Sequence, residues 1–186
     1  MRAYSNALVA AGAALWLALA GGAGAQPAES AEADLLARLA MPAEAEWKPA
    51  EEALVALWSR SGSAAMDLLL RRGRDALEAE DAAAAIEHLT ALTDHAPGFA
   101  EGWNARAMAW FAAEEYGLAL ADLTEALARN PHHFGALSGL GLTLERLGRH
   151  EAALRAFQAA RTIHPHRPDL IEAEKRLERK SGGRRL

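Results

Sequence analysis

Residues 100–133 read AEGWNARAMAWFAAEEYGLALADLTEALARNPHH, and residues 134–167 read FGALSGLGLTLERLGRHEAALRAFQAARTIHPHR. Laid one over the other, they place Trp103 over Leu137, Ala107 over Gly141 and Ala119 over Ala153. Leu123 falls over Phe157, Ala126 over Ala160 and Pro131 over Pro165, every pair 34 residues apart. Residues 66–99 join the same frame with Leu69, Gly73, Ala85, Leu89, Leu92 and Pro97. Recurrence at one fixed step in six registers marks a repeat architecture, in which each unit buries its apolar face against the next. A generic amphipathic bundle accounts for helical periodicity but not for a shared 34-residue step.

Each residue type in the frame has a physical reason. Small residues at Gly73, Ala107 and Gly141 are expected to face Ala85, Ala119 and Ala153, so that two helices approach closely. Trp103, Trp110, Leu123 and Phe157 are expected to fill the spaces between neighbouring pairs. Each proline ends a second helix, because it lacks an N–H and clashes with the preceding turn. Ala and Leu dominate the chain, and both lose little side-chain freedom in a helix. The spacing predicts first helices over 66–79, 100–113 and 134–147 and second helices over 82–95, 116–129 and 150–163. Asp81 is a candidate N-cap, and Gly148 suits a turn. Pro168 opens a last amphipathic helix over 168–180, the polar-faced cap that stacked repeats need.

The pattern resembles the tetratricopeptide repeat (TPR) family, in which an aromatic, a small residue, another aromatic, an Ala, an aromatic and a Pro are spread over 34 residues. The middle unit matches best, through Trp103, Ala107, Trp110, Tyr116, Ala119, Leu123, Ala126 and Pro131. The third matches through Leu137, Gly141, Leu144, Gly148, Ala153, Phe157, Ala160 and Pro165. The first departs at Arg72 and Ala76, where larger apolar residues are usual. The resemblance implies an all-α fold: a right-handed superhelix of stacked helix-turn-helix repeats (66–99, 100–133, 134–167) with a C-terminal capping helix. The whole repeat domain would span 64–180.

The flanks differ in character. Residues 1–25 read as a secretory signal: Arg2 supplies a positive start, 7–20 is uncharged and apolar, and Ala23-Gly24-Ala25 forms an Ala-x-Ala cleavage site. The mature chain is expected to begin at Gln26 and to be periplasmic or secreted, with no stable membrane span. An uncleaved anchor is the alternative, since the uncharged run approaches the ~20 residues a span requires. Residues 26–63 form a linker and a helical segment: a short helix over 30–39, a break at Pro42, and a second stripe through Trp47, Leu54, Leu57 and Trp58, with Pro49 near its start. This segment reads as a degenerate helix pair covering the first repeat. Residues 181–186 form a disordered tail. From 26 to 60 the charge is −4 and from 175 to 186 it is +5. The basic end suits either an anionic partner or its own helix C-terminus.

Composition narrows the chemistry. The chain has no cysteine and a net charge of −5. A disulfide, a thiolate metal site and a cysteine nucleophile are therefore excluded, and the clustered basic footprint of a nucleic-acid binder is missing. His132, His133, His164 and His166 lie at or beside inter-repeat turns, with His95 near the turn before, but no His-x3-His pair or carboxylate at ligand spacing supports a metal. They are expected to be solvated turn residues. Acidic residues such as Glu78, Glu80, Asp81, Glu114 and Glu115 belong to charged helix surfaces, and Ser138 has no base partner. The chain is therefore expected to be non-catalytic and to use no cofactor or metal.

What remains is binding. Stacked repeats of this kind present a concave surface to an extended peptide or a helix. One face of the three first helices gives Leu70, Arg74 and Leu77, then Asn104, Met108 and Phe111, then Ser138, Leu142 and Glu145. The expected function is a monomeric protein–protein interaction scaffold of the bacterial envelope that holds a protein or peptide there. An obligate accessory subunit of one complex is the alternative, with a metal-binding protein or enzyme behind it. Some family members clamp a C-terminal carboxylate with Lys, Arg and Asn on these helices. Leu70, Ser138 and Leu142 stand where such a clamp needs polar groups, so no preference for a free carboxylate is expected.

Overall fold

The computed structural model describes residues 27–182, with side chains over 30–180; the expected signal segment and most of the tail lie outside the described residues. These residues form nine helices and no strand: α1 Pro27–Leu39, α2 Glu44–Trp58, α3 Ala64–Glu78, α4 Ala82–His95, α5 Ala100–Ala112, α6 Tyr116–Arg129, α7 Phe134–Arg146, α8 His150–Ile163 and α9 Pro168–Gly182. The second helices coincide with the expected spans, and the first helices differ by no more than two residues at either end.

The punctuation follows the 34-residue frame. Asp81 caps α4 by accepting the Ala84 N–H at 3.0 Å. Glu80, Glu114 and Gly148 share the left-handed conformation that turns each first helix into its second, at φ 59°, 61° and 72°. Only the third unit places glycine there, where no side chain is strained. Pro97, Pro131 and Pro165 lie two residues beyond the ends of α4, α6 and α8. Each holds the residue before it out of the helical region, with ψ of 62° at Ala96, 92° at Asn130 and 76° at His164.

The helix pairs close with small residues against large ones. A Cβ on Gly73 would lie 2.4 Å from Leu89, and one on Gly141 would lie 2.7 Å from the Phe157 ring. The glycines therefore admit the large residue of the partner helix. In the middle unit Ala107 is buried in one cluster with Leu123. Ala85, Ala119 and Ala153 are each fully buried. Phe157, 1% exposed, ties α8 to α7 and α9, a burial worth about 1.5–3 kcal/mol. Arg106 adds a polar tie: it donates to both Asp122 oxygens at 2.7 and 2.8 Å and to Thr93 at 2.7 Å, linking α5 to α6 and α4.

The first helices α3, α5 and α7 pack on one another in succession, and the second helices do not pack to that extent. The stack therefore curves with α3, α5 and α7 on its inner, concave side. The cap α9 packs on α8.

The N-terminal segment does form a helical hairpin, α1–α2, with Pro49 inside α2. It does not cover the first repeat. Its core of Leu39, Ala50 and Leu54 packs on Phe134 at the start of α7 and on Ile163 at the end of α8. The hairpin thus lies across the inter-repeat turns, against the N-terminal ends of the inner helices. There Phe134, His133 and His164 offer three rings to Trp58 and Trp47.

Candidate partner-binding face

The inner face is built by residues three and four apart on each first helix, which share one side. On α5 these are Glu101, Asn104, Met108 and Phe111. The face divides into two halves of opposite character.

The half toward the helix N-termini is polar and covered. Glu101, 8% exposed at its side chain, accepts Arg74 of α3 at 2.5 Å, the His133 ring at 2.6 Å and Asn104 at 3.1 Å. His133 also accepts the Ala136 N–H at Nδ1, 3.1 Å away, and so caps α7. With Nδ1 accepting, the ring proton sits on Nε2 and is donated to Glu101. Burial pushes the Glu101 carboxyl upward, but the His133 hydrogen bond and the charge and hydrogen bond of Arg74 outweigh it and hold the group below its ordinary value. Trp58 of α2 stacks on His133 at 4.8 Å and donates its indole N–H to Glu32 of α1 at 2.9 Å. Arg74 donates to Ser59 at 3.0 Å.

Beside it, a second cluster holds the other end of α2. His164, with no exposed surface, meets Trp47 edge-on at 5.1 Å, Phe134 at 5.4 Å and Glu51 at 3.3 Å. Burial holds its imidazole below the ordinary histidine value despite the Glu51 contact. Glu51 also pairs with Arg167 at 3.2 Å, and His166 reaches the Ala40 carbonyl at 3.2 Å. The expectation of solvated turn histidines is therefore corrected at His133 and His164, which are buried contacts between hairpin and repeats; His95 and His132 are exposed.

The half toward the helix C-termini is apolar and open. Met108 is 56% exposed and Leu142 43%. With Phe111 they rim a pocket of about 160 Å³ floored by Ala107, Leu123, Gly139 and Thr143. Gly139 gives it depth, because a Cβ there would press on Leu123 at 3.1 Å. Phe111 is propped edge-on by Tyr116 at 5.3 Å and carries Arg146 over its ring at 5.6 Å.

The expected groove residues therefore scatter. Met108, Phe111 and Leu142 come together around the pocket, and Ser138 is half-buried on the same helix face. Leu70, 1% exposed, belongs to the core under α3, with Leu77 packed beside it, so Leu70 offers no surface to a ligand. Asn104 and Arg74 are taken up by Glu101. Glu145 is held by the cap helix: Arg176 donates at 2.7 Å and Lys180 at 2.9 Å, chiefly the Arg176 bond lowering its carboxyl to about 2. Glu51, Trp58, Glu101, His133, Phe134 and His164 were not among the expected site residues.

Comparison with known proteins agrees with this layout. The family profile described as tetratricopeptide repeat matches residues 70–122 and 111–168. A TPR repeat-containing protein of Rhizobium etli is 33% identical over 128 residues, 69% of this chain and 63% of the relative, so the chain spans less than two thirds of that protein's length. The TPR domain of Arabidopsis OM64 superposes with a TM-score of 0.60 at 23% identity, covering 62% of this chain and 95% of that domain. The first TPR of Spaghetti (RPAP3), solved bound to the HSP90 peptide SRMEEVD, gives 0.62 at 19% identity over 63% of this chain and 94% of the other. With the profile covering more than half of the sequence and the helix pairs, turns and prolines all in its 34-residue frame, the chain belongs to the tetratricopeptide repeat family.

Proposed function

We propose that the protein is a non-catalytic interaction scaffold that takes a short apolar segment of a partner protein, as a peptide or one helix, on the open half of its concave face. The observation that carries this is the Met108–Phe111–Leu142 pocket: large apolar side chains exposed together on the inner face of a repeat stack. A flexible Met at its rim adapts to differing side chains, and an exposed apolar patch rimmed by polar groups marks an interaction surface. The Spaghetti domain bound to a peptide supports a peptide-sized ligand. A free carboxylate is not the anchor, because Arg74 already serves Glu101.

Export to the envelope is part of the proposal and rests on Arg2, the apolar run and Ala23-Gly24-Ala25. Cleavage after Ala25 leaves all nine helices intact, the first starting at Pro27. Intact mass of the protein recovered from the host tests it: a chain starting at Gln26 is expected, and one retaining Met1 contradicts it.

For the binding surface, a photo-crosslinking amino acid is placed at Met108, at Leu142 and at exposed Glu151 on α8, and the protein is irradiated in its host. A defined adduct from the first two positions and none from the third is expected. Equal labelling at all three, or none from Met108 and Leu142, contradicts the assignment.

A further inference from the structure

The covered half of the concave face is as informative as the open one. Trp47, Glu51, Leu54 and Trp58 recur along one face of α2, and Trp47, Glu51 and Trp58 each meet a repeat-borne group: His164, Arg167 or His133. A helix that presents one side to a groove reads in this way. Yet the hairpin is seated unlike any other helix. Close helix packing joins α1 to α2 and each repeat helix to its neighbours, and no such packing joins either hairpin helix to a repeat helix. The seat is made by side chains: Leu39, Ala50 and Leu54 meet Phe134 and Ile163, and the ends of Trp47, Glu51 and Trp58 surround them.

The seat is also polar and imperfect. His164 Nδ1 is buried there without a hydrogen-bond partner, and native cores seldom leave such atoms unmet. One charge pair crosses it: Glu51 of the hairpin, within a stretch 26–60 that carries −4, meets Arg167 at 3.2 Å. The connection to the repeats is short. Asp67 fixes Ser61 to the first turn of α3, accepting its N–H at 2.8 Å and hydroxyl at 2.6 Å. Ser59, whose hydroxyl accepts from Arg74, and Arg60 are all that stand between α2 and that turn, and Gly62 beyond them has nothing within 4 Å of where its Cβ would be.

We propose that the polar half of the concave face is a helix-binding site filled in cis by the chain's own α2, and that a partner helix carrying an aromatic, an acid four residues on and a second aromatic eleven residues after the first exchanges with it. This deepens the scaffold reading by giving the groove a second, helix-selective compartment. It concerns residues other than the Met108 pocket, so either assignment fails without the other.

The test cuts the full chain. A protease site is placed at Gly62, the protein is cleaved, and separation of the hairpin is followed by size exclusion and circular dichroism. The expected result is a hairpin that leaves on dilution while the repeats keep their helical signal. A synthetic peptide of residues 27–60 then rebinds, and the same peptide with Trp58→Ala binds at least tenfold more weakly. A hairpin that comes away only when the repeats unfold overturns the proposal, as does a Trp58→Ala peptide that rebinds equally well.

Discussion

The repeats and the N-terminal hairpin are both helix pairs of Leu and Ala, yet they are held by different physics. In the repeats, backbones approach until Gly73 and Gly141 have no room for a Cβ beside Leu89 and Phe157. The hairpin meets the same stack through a small apolar core set on Phe134 and Ile163 and through tryptophan, histidine, carboxylate and guanidinium ends around it. Close packing of this kind is unforgiving of volume, whereas a side-chain seat yields one contact at a time. The difference separates a rigid frame from an element that can leave it.

The strongest way to break this comparison is overpacking inside a repeat. Ala119→Trp or Ala153→Trp puts an indole at a site with no exposed surface, and overpacking costs about 1–3 kcal/mol and sometimes more. A large fall in the thermal midpoint of the whole chain is expected for both, and an unchanged midpoint would mean that the helix pairs are wrongly matched.

Acidification comes next and acts on the hairpin first. His164 faces Glu51 and Trp47 from α2, Phe134 from α7, and Arg167 and Asp169 at the start of α9. Burial lowers its value in the folded chain below the ordinary 6.5. The unfolded or undocked state therefore binds a proton first, and the seat is at full strength above about pH 6.5 and weakens as pH falls below it. Glu101 and Glu145 are lowered from 4.5, Glu145 to about 2. Their contributions persist above pH 4.5 and are lost only below it. Tryptophan fluorescence is expected to report Trp47 loosening between pH 7 and 5, with the repeat helicity retained. Simultaneous loss of both signals would erase the distinction.

The smallest effect is a gain. Glu80 and Glu114 hold a left-handed conformation at the place where the third unit has Gly148. Glu114→Gly removes that strain at some cost in unfolded-state entropy, for a net gain of about 0.5–1 kcal/mol. A denaturant midpoint for Glu114→Gly at or below the wild-type value would contradict it.

The frame was legible in the sequence because it repeats. Six registers of one step placed the turns and prolines, and the second helices match residue for residue. The small-against-large pairing was not legible: Gly73 and Ala85 recur at the same step as Leu89, and spacing alone does not say which of them meet. Met108, Phe111 and Leu142 were found because an inner helix face can be projected from the pattern. Leu70 and Glu145 were misjudged for reasons outside that projection, since α3 rolls Leu70 into the core and α9 supplies Arg176 and Lys180 to Glu145. The hairpin seat was invisible because its contacts occur once, across more than 100 residues, as between Glu51 and His164. The spacing of Trp47, Glu51 and Trp58 on one face was the available signal.

Native-state hydrogen exchange tests most directly whether the hairpin is a separable element on a rigid frame. Amides of α1 and α2 are expected to exchange at least tenfold faster than those of α5 to α8, and Trp58→Ala is expected to speed the hairpin alone. Equal protection in both regions, with Trp58→Ala raising exchange throughout, would show one cooperative unit and contradict the account.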